Sequence, residues 1–499
     1  KTSNRISFKT CSSYNYRESE LEVMADNNNN YVLGIDIGTT SVKVIVLNTK
    51  NNEIVAKQNK DTQSNVPSDQ GTDGNKQDVP KIISALNTCV AKLPKDLLRQ
   101  ITKIGICGQM HGVMLWNNSE QQLAWERIER DGALVRYDVI QDRVTALYTW
   151  QDNRCDAEFI SSLPPAKSHL PVNTGYGTAT LFWMAKHKPE KCTKFNCAGT
   201  IQDFAVAMLC NLEKPVMSVQ NAASWGYFDC KNVCWNSELL EEAGFPISLL
   251  PDVKNSGEIA ECLADNWHTI PKGTPISVAL GDLQCSVLAT IESINDAVLN
   301  ISTSAQMAFV AQDFEPIVDE APAPKPIEYY PYFHNQYLAV AASLNGGNVL
   351  ATFVRMLQQW TMELGFSVPQ SKVWEKIIAL SMDENAVSDL KIQPTLLGER
   401  HLTETGAVVG NINIGNLGLG QVFRALCHGL LENLHGMMSR EMLSKANISR
   451  IVGNGSGLSR NKVLQNEVQQ FYLLPLVFTT GGDAAKGAAM AMNLQNVIG

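Results

Sequence analysis

Several things are scarce in this 499-residue chain, and each scarcity removes a class of function. Basic residues do not dominate: 41 Lys and Arg stand against 50 Asp and Glu, a formal charge of −9, so no electrostatic footprint for nucleic acid exists. No apolar run approaches the ~18 residues of a membrane helix. The N-terminus lacks the apolar core of a secretory signal. Twelve cysteines are present, yet none shows the paired C-x-x-C spacing of zinc sites. The nearest pair, Cys230 and Cys234 in "CKNVC", has no second ligand pair beside it. They read as buried thiols in a reducing compartment, and the expected location is the cytoplasm. Without a secretory route, the sequons at Asn117, Asn300 and Asn447 carry no meaning.

What is present is enough apolar residue, 44%, for sizeable cores, and enough length for two or three domains. Residues 1–30 are polar, end in "DNNNN" and show no period; they read as a disordered leader, with Met24 a candidate start. Beyond them, "YVLGIDIGTTSVKVIVL" places alternating apolar residues on either side of Gly38-Thr39-Thr40-Ser41, the pattern of a β-hairpin. A second such pattern, "DAVLNISTSAQMAFVAQ", folds Ala297–Ile301 onto Met307–Ala311 through the turn 302–305. Hydroxyl-rich turns in both halves hint at a duplicated architecture. Strand patterns ("ITKIGICG", "PISVALGD") alternate with helical ones ("GTATLFWMAKHKPE", "DFAVAMLCNL"), which makes the class α/β. "GQVFRALCHGLLENLHGMMSREML" reads as helical throughout, and the proline-rich "PIVDEAPAPKPIEYYP" as a surface excursion. The main boundary falls near residue 290.

Several residues could carry chemistry, each beside a plainer alternative. Successive backbone N–H groups in a tight turn form an anion nest, so the turns at Gly38, Thr39 and Thr40 and at Thr303 and Ser304 could cradle phosphate; either could also be only a turn. Asp36, two residues before Gly38, could hold Mg²⁺ beside a phosphate or cap its own turn. Asp282 follows an apolar strand and opens a helix, where a carboxylate is either a cap or a proton acceptor aimed into the cleft. "GQMHG" presents Gln109, Met110 and His111 after a strand. "WQDNR" sets Trp150, Asp152 and Arg154 together, an apolar plane beside hydroxyl-binding groups, which suits a sugar. "VGNGSGLSRN" puts Gly453, Gly455, Ser456, Gly457 and Asn461 at a strand-to-helix turn, where backbone can approach a nucleotide or simply pack tightly.

Taken in order, "GIDIGTTSVK", "GQMHG", "WQDNR", "ALGDLQCS", "NISTSAQ", "GNGSGLSRN" and "GDAAKGAA" resemble the FGGY carbohydrate kinases, over roughly residues 31–495. The resemblance implies two actin-like (ribonuclease H-like) lobes around a central cleft: 31–290 for the sugar and the catalytic base, 291–499 for the nucleotide. It implies ATP and Mg²⁺ as cofactors, Asp282 as the base, and Asp36 with Asp282 at the metal. Thr39, Thr40, Thr303 and Ser304 would face the phosphates, and Gly453–Asn461 would line the adenosine site. Gln109, Met110, His111, Trp150, Asp152 and Arg154 would meet the sugar. "KSHL", "QNAASWGYF" and "LGERHL" look closest to kinases of the seven-carbon ketose sedoheptulose, which phosphorylate its terminal primary hydroxyl. A xylulose-type kinase is the alternative, and a non-catalytic actin-like nucleotide binder a more distant one. One departure stands out: the family's usual Gly-Thr-Ser-Gly at the second turn is here Ser302-Thr303-Ser304-Ala305. Glycine opens left-handed backbone that serine and alanine disfavour. The partners implied are a small sugar and ATP, with neither nucleic acid nor membrane.

Overall fold

The computed structural model describes residues 30–494 apart from 120, 131–132, 319–321, 403–405 and 480–481. The leader expected over 1–30 therefore lies, but for Asn30, outside the described residues. Two sheets organise the rest. In the first, the spatial order is Ile259–Cys262, Pro275–Ser277, Ile101–Gly108, Tyr31–Ile37, Ser41–Asn48, Glu53–Asp61. In the second it is Glu328–Pro331, Tyr337–Ser343, Ala305–Ala311, Asp296–Ile301, Arg450–Asn454, Leu476–Phe478.

The two sheets share one plan. A three-stranded antiparallel meander comes first, and a later strand then pairs in parallel with the meander's opening strand. The duplication hinted at by the two turns is thus present in the strand order. The edge strand Glu53–Asp61 is mostly exposed and carries Glu53, Lys57, Lys60 and Asp61, charges that keep an open sheet edge from pairing with another chain.

Alternation predicts strands half-buried, but Tyr31–Ile37 is covered on both faces, with Leu33, Ile35 and Ile37 fully buried. One cover is the amphipathic helix Val79–Ala91, whose Ile82, Leu86 and Val90 join the same core. The other is the helix Ala484–Ala491, from the far end of the chain. Its approach is so close that a side chain at Gly34 or Gly105 would lie 2.0 Å from the carbonyl oxygens of Ala485 and Ala488. Glycine in the sheet and alanine on the helix make that layer possible. The same helix crosses Asp282–Thr290, so the two lobes meet along this pair.

The segment between the strands Ile101–Gly108 and Pro275–Ser277 builds a separate core around Leu115, Tyr148, Phe182, Trp225 and Phe228. This inserted unit carries His111, Trp150 and Tyr176, and the Trp150 indole reaches Thr39 in the turn of the first hairpin. Two local expectations change. The long helix ends at Met437; Met438 is extended and Ser439 caps a new helix, Arg440–Lys445, by accepting from the Met442 amide. Of the proline-rich excursion, Glu328–Pro331 is an edge strand hydrogen-bonded to Tyr337–Ser343.

Candidate active site

The first hairpin closes through the Gly38 amide donating to the Ser41 carbonyl at 3.0 Å. Asp36 takes no part in that closure. It sits in register opposite Lys43, so the turn-capping alternative does not describe it. Burial pushes its carboxyl up to about 7, with the Asp282 carboxylate adding to the rise, Lys43 opposing it and Asp483 adding again. Asp483 itself is held by Lys43 at 3.5 Å and caps the helix Ala484–Ala491.

Asp282 is the first helical residue after Gly281, and it accepts one bond, from the Leu283 amide at 2.8 Å. A conventional cap would accept from an amide two or three residues on. Burial holds its carboxyl up at about 6. The position is set by the helix Val219–Trp225: the Gly281 amide donates to Gln220 Oε1 at 3.1 Å, and Asn221 Nδ2 donates to the Ala279 carbonyl at 3.0 Å.

Asp36 and Asp282 thus lie near one another at the ends of two strands of one sheet, and among the described residues Lys43 is the cation whose charge opposes the rise at Asp36. Two carboxylates with unmet negative charge suit a hard divalent ion that takes its remaining ligands from water and phosphate. Among the described residues no group of three or more His, Cys, Asp or Glu forms a ready-made metal cage.

His111 follows Met110, whose thioether lies close against Gly281. Its backbone is left-handed, φ 71°, an outlier of the kind that concentrates at binding sites. The ring stacks on Tyr176 with centroids 4.5 Å apart, and Nδ1 lies 2.8 Å from the Ser224 carbonyl. Burial lowers its pKa to about 4, so it is neutral at pH 7. Nδ1 then carries the proton donated to Ser224, and Nε2 is left to accept from a hydroxyl. Gln109 is almost fully buried, and its Oε1 has no partner while its Nε2 donates to Gln77 at 3.0 Å.

Of the W-x-D-x-R trio, Trp150 is 41% exposed and its indole donates to Thr39 Oγ1 at 3.1 Å. Asp152 and Arg154 are buried against each other, Nε to Oδ1 2.6 Å and Nη2 to Oδ2 2.9 Å, and Asp152 also accepts from the Asn75 amide. Arg154 stacks over Tyr148, and its buried Nη1 has no partner. The pair braces the Trp150 loop from beneath.

Gln77 carries no motif signal, yet it links the site. It accepts from Gln109 and donates to the Thr39 carbonyl at 2.6 Å, tying the Gln109–His111 loop to the turn of the first hairpin. Nothing local in the sequence marks it, nor Tyr176; Asp483 enters only as part of "GDAAKGAA".

In the second lobe a cavity of about 750 Å³ is lined by Ser302, Thr303, Gly347, Trp374, Ile378, Ser456, Gly457 and Asn461, among others. Ser304, Gly453 and Gly455 are not part of the lining. Gly453 packs against Phe478 and Leu458, and Asn461 spends its carbonyl capping the helix Lys462–Tyr472. No residue of 302–305 has positive φ, so serine and alanine fit this turn without strain. The need for glycine has moved to the facing segment: a side chain on Gly346 would lie 2.4 Å from the Ser304 carbonyl carbon, and one on Gly347 would lie 2.1 Å from the Ser302 oxygen.

The N-terminal domain of the FGGY family of carbohydrate kinases matches residues 31–128 and 129–289. Sedoheptulokinase of Homo sapiens is 46% identical over 470 residues, 92% of this chain and 96% of that protein. The chain belongs to the FGGY family of carbohydrate kinases. As an FGGY kinase it is a sugar kinase, with a small sugar and ATP as substrates. The two lobes are the actin-like, ribonuclease H-like pair of that family. Two solved structures share the fold at 17% identity. Xylulose kinase from Rhodospirillum rubrum has a TM-score of 0.74, and Plasmodium falciparum glycerol kinase with ADP has 0.72; each match covers 94% of this chain and 90% of the other. Among the described residues no helix is long and apolar enough to cross a membrane.

Proposed function

We propose that this FGGY kinase transfers the γ-phosphoryl group of ATP to the terminal primary hydroxyl of sedoheptulose, in the cytoplasm. The observation that carries the substrate is the 46% identity to human sedoheptulokinase, which at 92% of the chain extends through both lobes. The site supports the chemistry. Residues 31–290 would bind the sugar and supply the base, and residues 291–499 would bind the nucleotide.

The adenosine would occupy the cavity beside Ser456 and Gly457, with Trp374 and Ile378 on its walls. Backbone amides and hydroxyls of Thr39, Thr40, Thr303 and Ser304 would hold the phosphates from two sides. Met110, His111 and Trp150 would face the ketose, with Gln109 Oε1 and His111 Nε2 as acceptors for its hydroxyls. As the sugar oxygen bonds to the γ-phosphorus and the bond to the β-phosphate oxygen breaks, Asp282 would take the hydroxyl proton and ADP would leave with the electron pair. Asp36 and Asp282 would hold Mg²⁺, which neutralises phosphate charge when bound.

A panel of ketoses with ATP tests the substrate. Sedoheptulose is expected to give the highest kcat/KM, and a higher value for xylulose would overturn the assignment.

A further inference from the structure

Gln77 lies in the middle strand of a small three-stranded sheet, Lys76–Gln77 between Asn65–Val66 and Leu147–Tyr148. Its side chain is fully buried, as is that of Gln202, and Gln109 is 2% exposed. The backbone of Gln109 is held as firmly. Its amide donates to the Ile37 carbonyl at 3.0 Å, and its carbonyl accepts from Gln202 Nε2 at 3.0 Å.

These bonds have a fixed direction. A carbonyl oxygen can only accept, so Thr39 obliges Gln77 to present its NH₂ group there, at 2.6 Å. Gln77 Oε1 must then face the other way, where it accepts from Gln109 Nε2 at 3.0 Å. Gln109 is left with Oε1 as its free end, buried and without a partner. The opposite end is free as well. The Thr39 carbonyl and the Thr40 amide belong to one peptide group, and among the described residues the Thr40 amide has no acceptor. The Trp150 indole donates to Thr39 Oγ1 at 3.1 Å and so steadies the same residue from a second side. Three amide groups thus run in line between two unmet ends, an acceptor at Gln109 and a donor at Thr40.

We propose that Gln77 is a positioning residue through which sugar and ATP strengthen each other's binding. This rests on the reading above, in which Gln109 meets the sugar and the first turn meets the phosphates. A sugar hydroxyl donating to Gln109 Oε1 polarises that amide and makes its N–H a better donor to Gln77. The same step repeats at Gln77 and at the Thr39–Thr40 peptide, whose N–H then donates more strongly to phosphate. Hydrogen bonds in a buried chain reinforce one another in this way. Coupling of two binding sites is reciprocal, so ATP tightens the sugar by the same factor.

Calorimetric titration of the full chain tests this, using a non-hydrolysable ATP analogue with Mg²⁺, with and without saturating sedoheptulose, and then the reverse. In the wild type each Kd is expected to fall about fivefold when the other ligand is present. Gln77→Met, of similar length but without donor or acceptor, should bring that ratio to about one. Gln77→Glu, once ionised, keeps an acceptor for Gln109 and offers Thr39 no proton. It should lose the coupling while its Kd for sugar alone stays within about threefold of wild type. Should Gln77→Met fail to fold, Gln77→Glu carries the test. Coupling retained in the variants overturns the proposal, as does a wild type without coupling. Equal weakening of both ligands at an unchanged ratio also overturns it, because a merely structural support would act that way. If the wild type binds another ketose instead, the sedoheptulose assignment fails, and the same titrations with that ketose decide this inference. A wild type that binds no ketose overturns both.

Discussion

The two hairpins are the same device with different chemistry in each. Asp36-Ile37 leads into the first turn as Asn300-Ile301 leads into the second, although Ile37 pairs with Val42 across four turn residues and Ile301 with Ala305 across three. The first turn has a carboxylate at its strand end and Lys43 across the ladder. The second has a neutral amide, accepting from Ser302 Oγ at 3.1 Å, and Gln306 across the ladder. Duplication has kept the hydroxyl-bearing turn in both lobes, and only the first has a carboxylate at its strand end. The carboxylate lies on the lobe that carries Asp282, where the proposed mechanism would need a proton acceptor and a metal ligand. The neutral copy lies beside the second-lobe cavity proposed for the nucleotide, where an acid would repel phosphate.

That asymmetry can be broken from either side. The largest effect is expected for Asp282→Asn, with kcat down about 10²- to 10⁴-fold and both KM values nearly unchanged. Unimpaired phosphoryl transfer in this variant would remove Asp282 from its role as base. Next comes Asn300→Asp, which gives the second turn the first turn's acid. It should raise the KM for ATP about tenfold through repulsion between like charges, and an unchanged ATP KM would show the turn does not face phosphate.

The acids also set a pH dependence. Asp282 must be unprotonated to accept a proton, so kcat/KM should rise with pH through about 6 and level off above it. Stability without ligands should run the other way. Both acids have folded values above the ordinary 3.8, so their contribution is greatest below that pH and is lost as pH climbs through about 6 and 7. Melting curves from pH 4 to 8 test this, with MgATP expected to offset the loss. The smallest effect is expected for Trp150→Phe, which removes one hydrogen bond to Thr39 worth about 1 kcal/mol and so costs about fivefold in kcat/KM.

Much of this was legible from periodicity. Both hairpins, the strand at 101–108 and the helices at 177–187 and 201–210 follow from alternation or a 3.6-residue period that burial then rewards. The site was legible where a residue type was odd for its place, as with Asp36 at the end of an apolar strand. What escaped depends on partners distant in sequence. Gln77 matters because Thr39 and Gln109 lie on either side of it. Asp152 and Arg154 are a buried brace because Asn75 and Tyr148 enclose them. Glu328–Pro331 becomes a strand only because Tyr337–Ser343 offers an open edge, a tertiary gain that outweighs the prolines around it. The break at Met438 hangs on one serine side chain reaching back to an amide, too small a signal for a periodic pattern to register.

The helix Ala484–Ala491 also sets a timetable. It closes one face of a sheet whose opening strand begins at Tyr31, where it meets Val32, Ile45 and Leu47. During synthesis that face stays bare until nearly the whole second lobe has been made, roughly 10 to 40 s after the first lobe's own residues at ordinary elongation rates. The lobes therefore cannot mature strictly one after the other. An unfinished first lobe would offer an apolar surface to chaperones, and loss of this helix should send the chain into aggregates rather than leave a sugar-binding fragment.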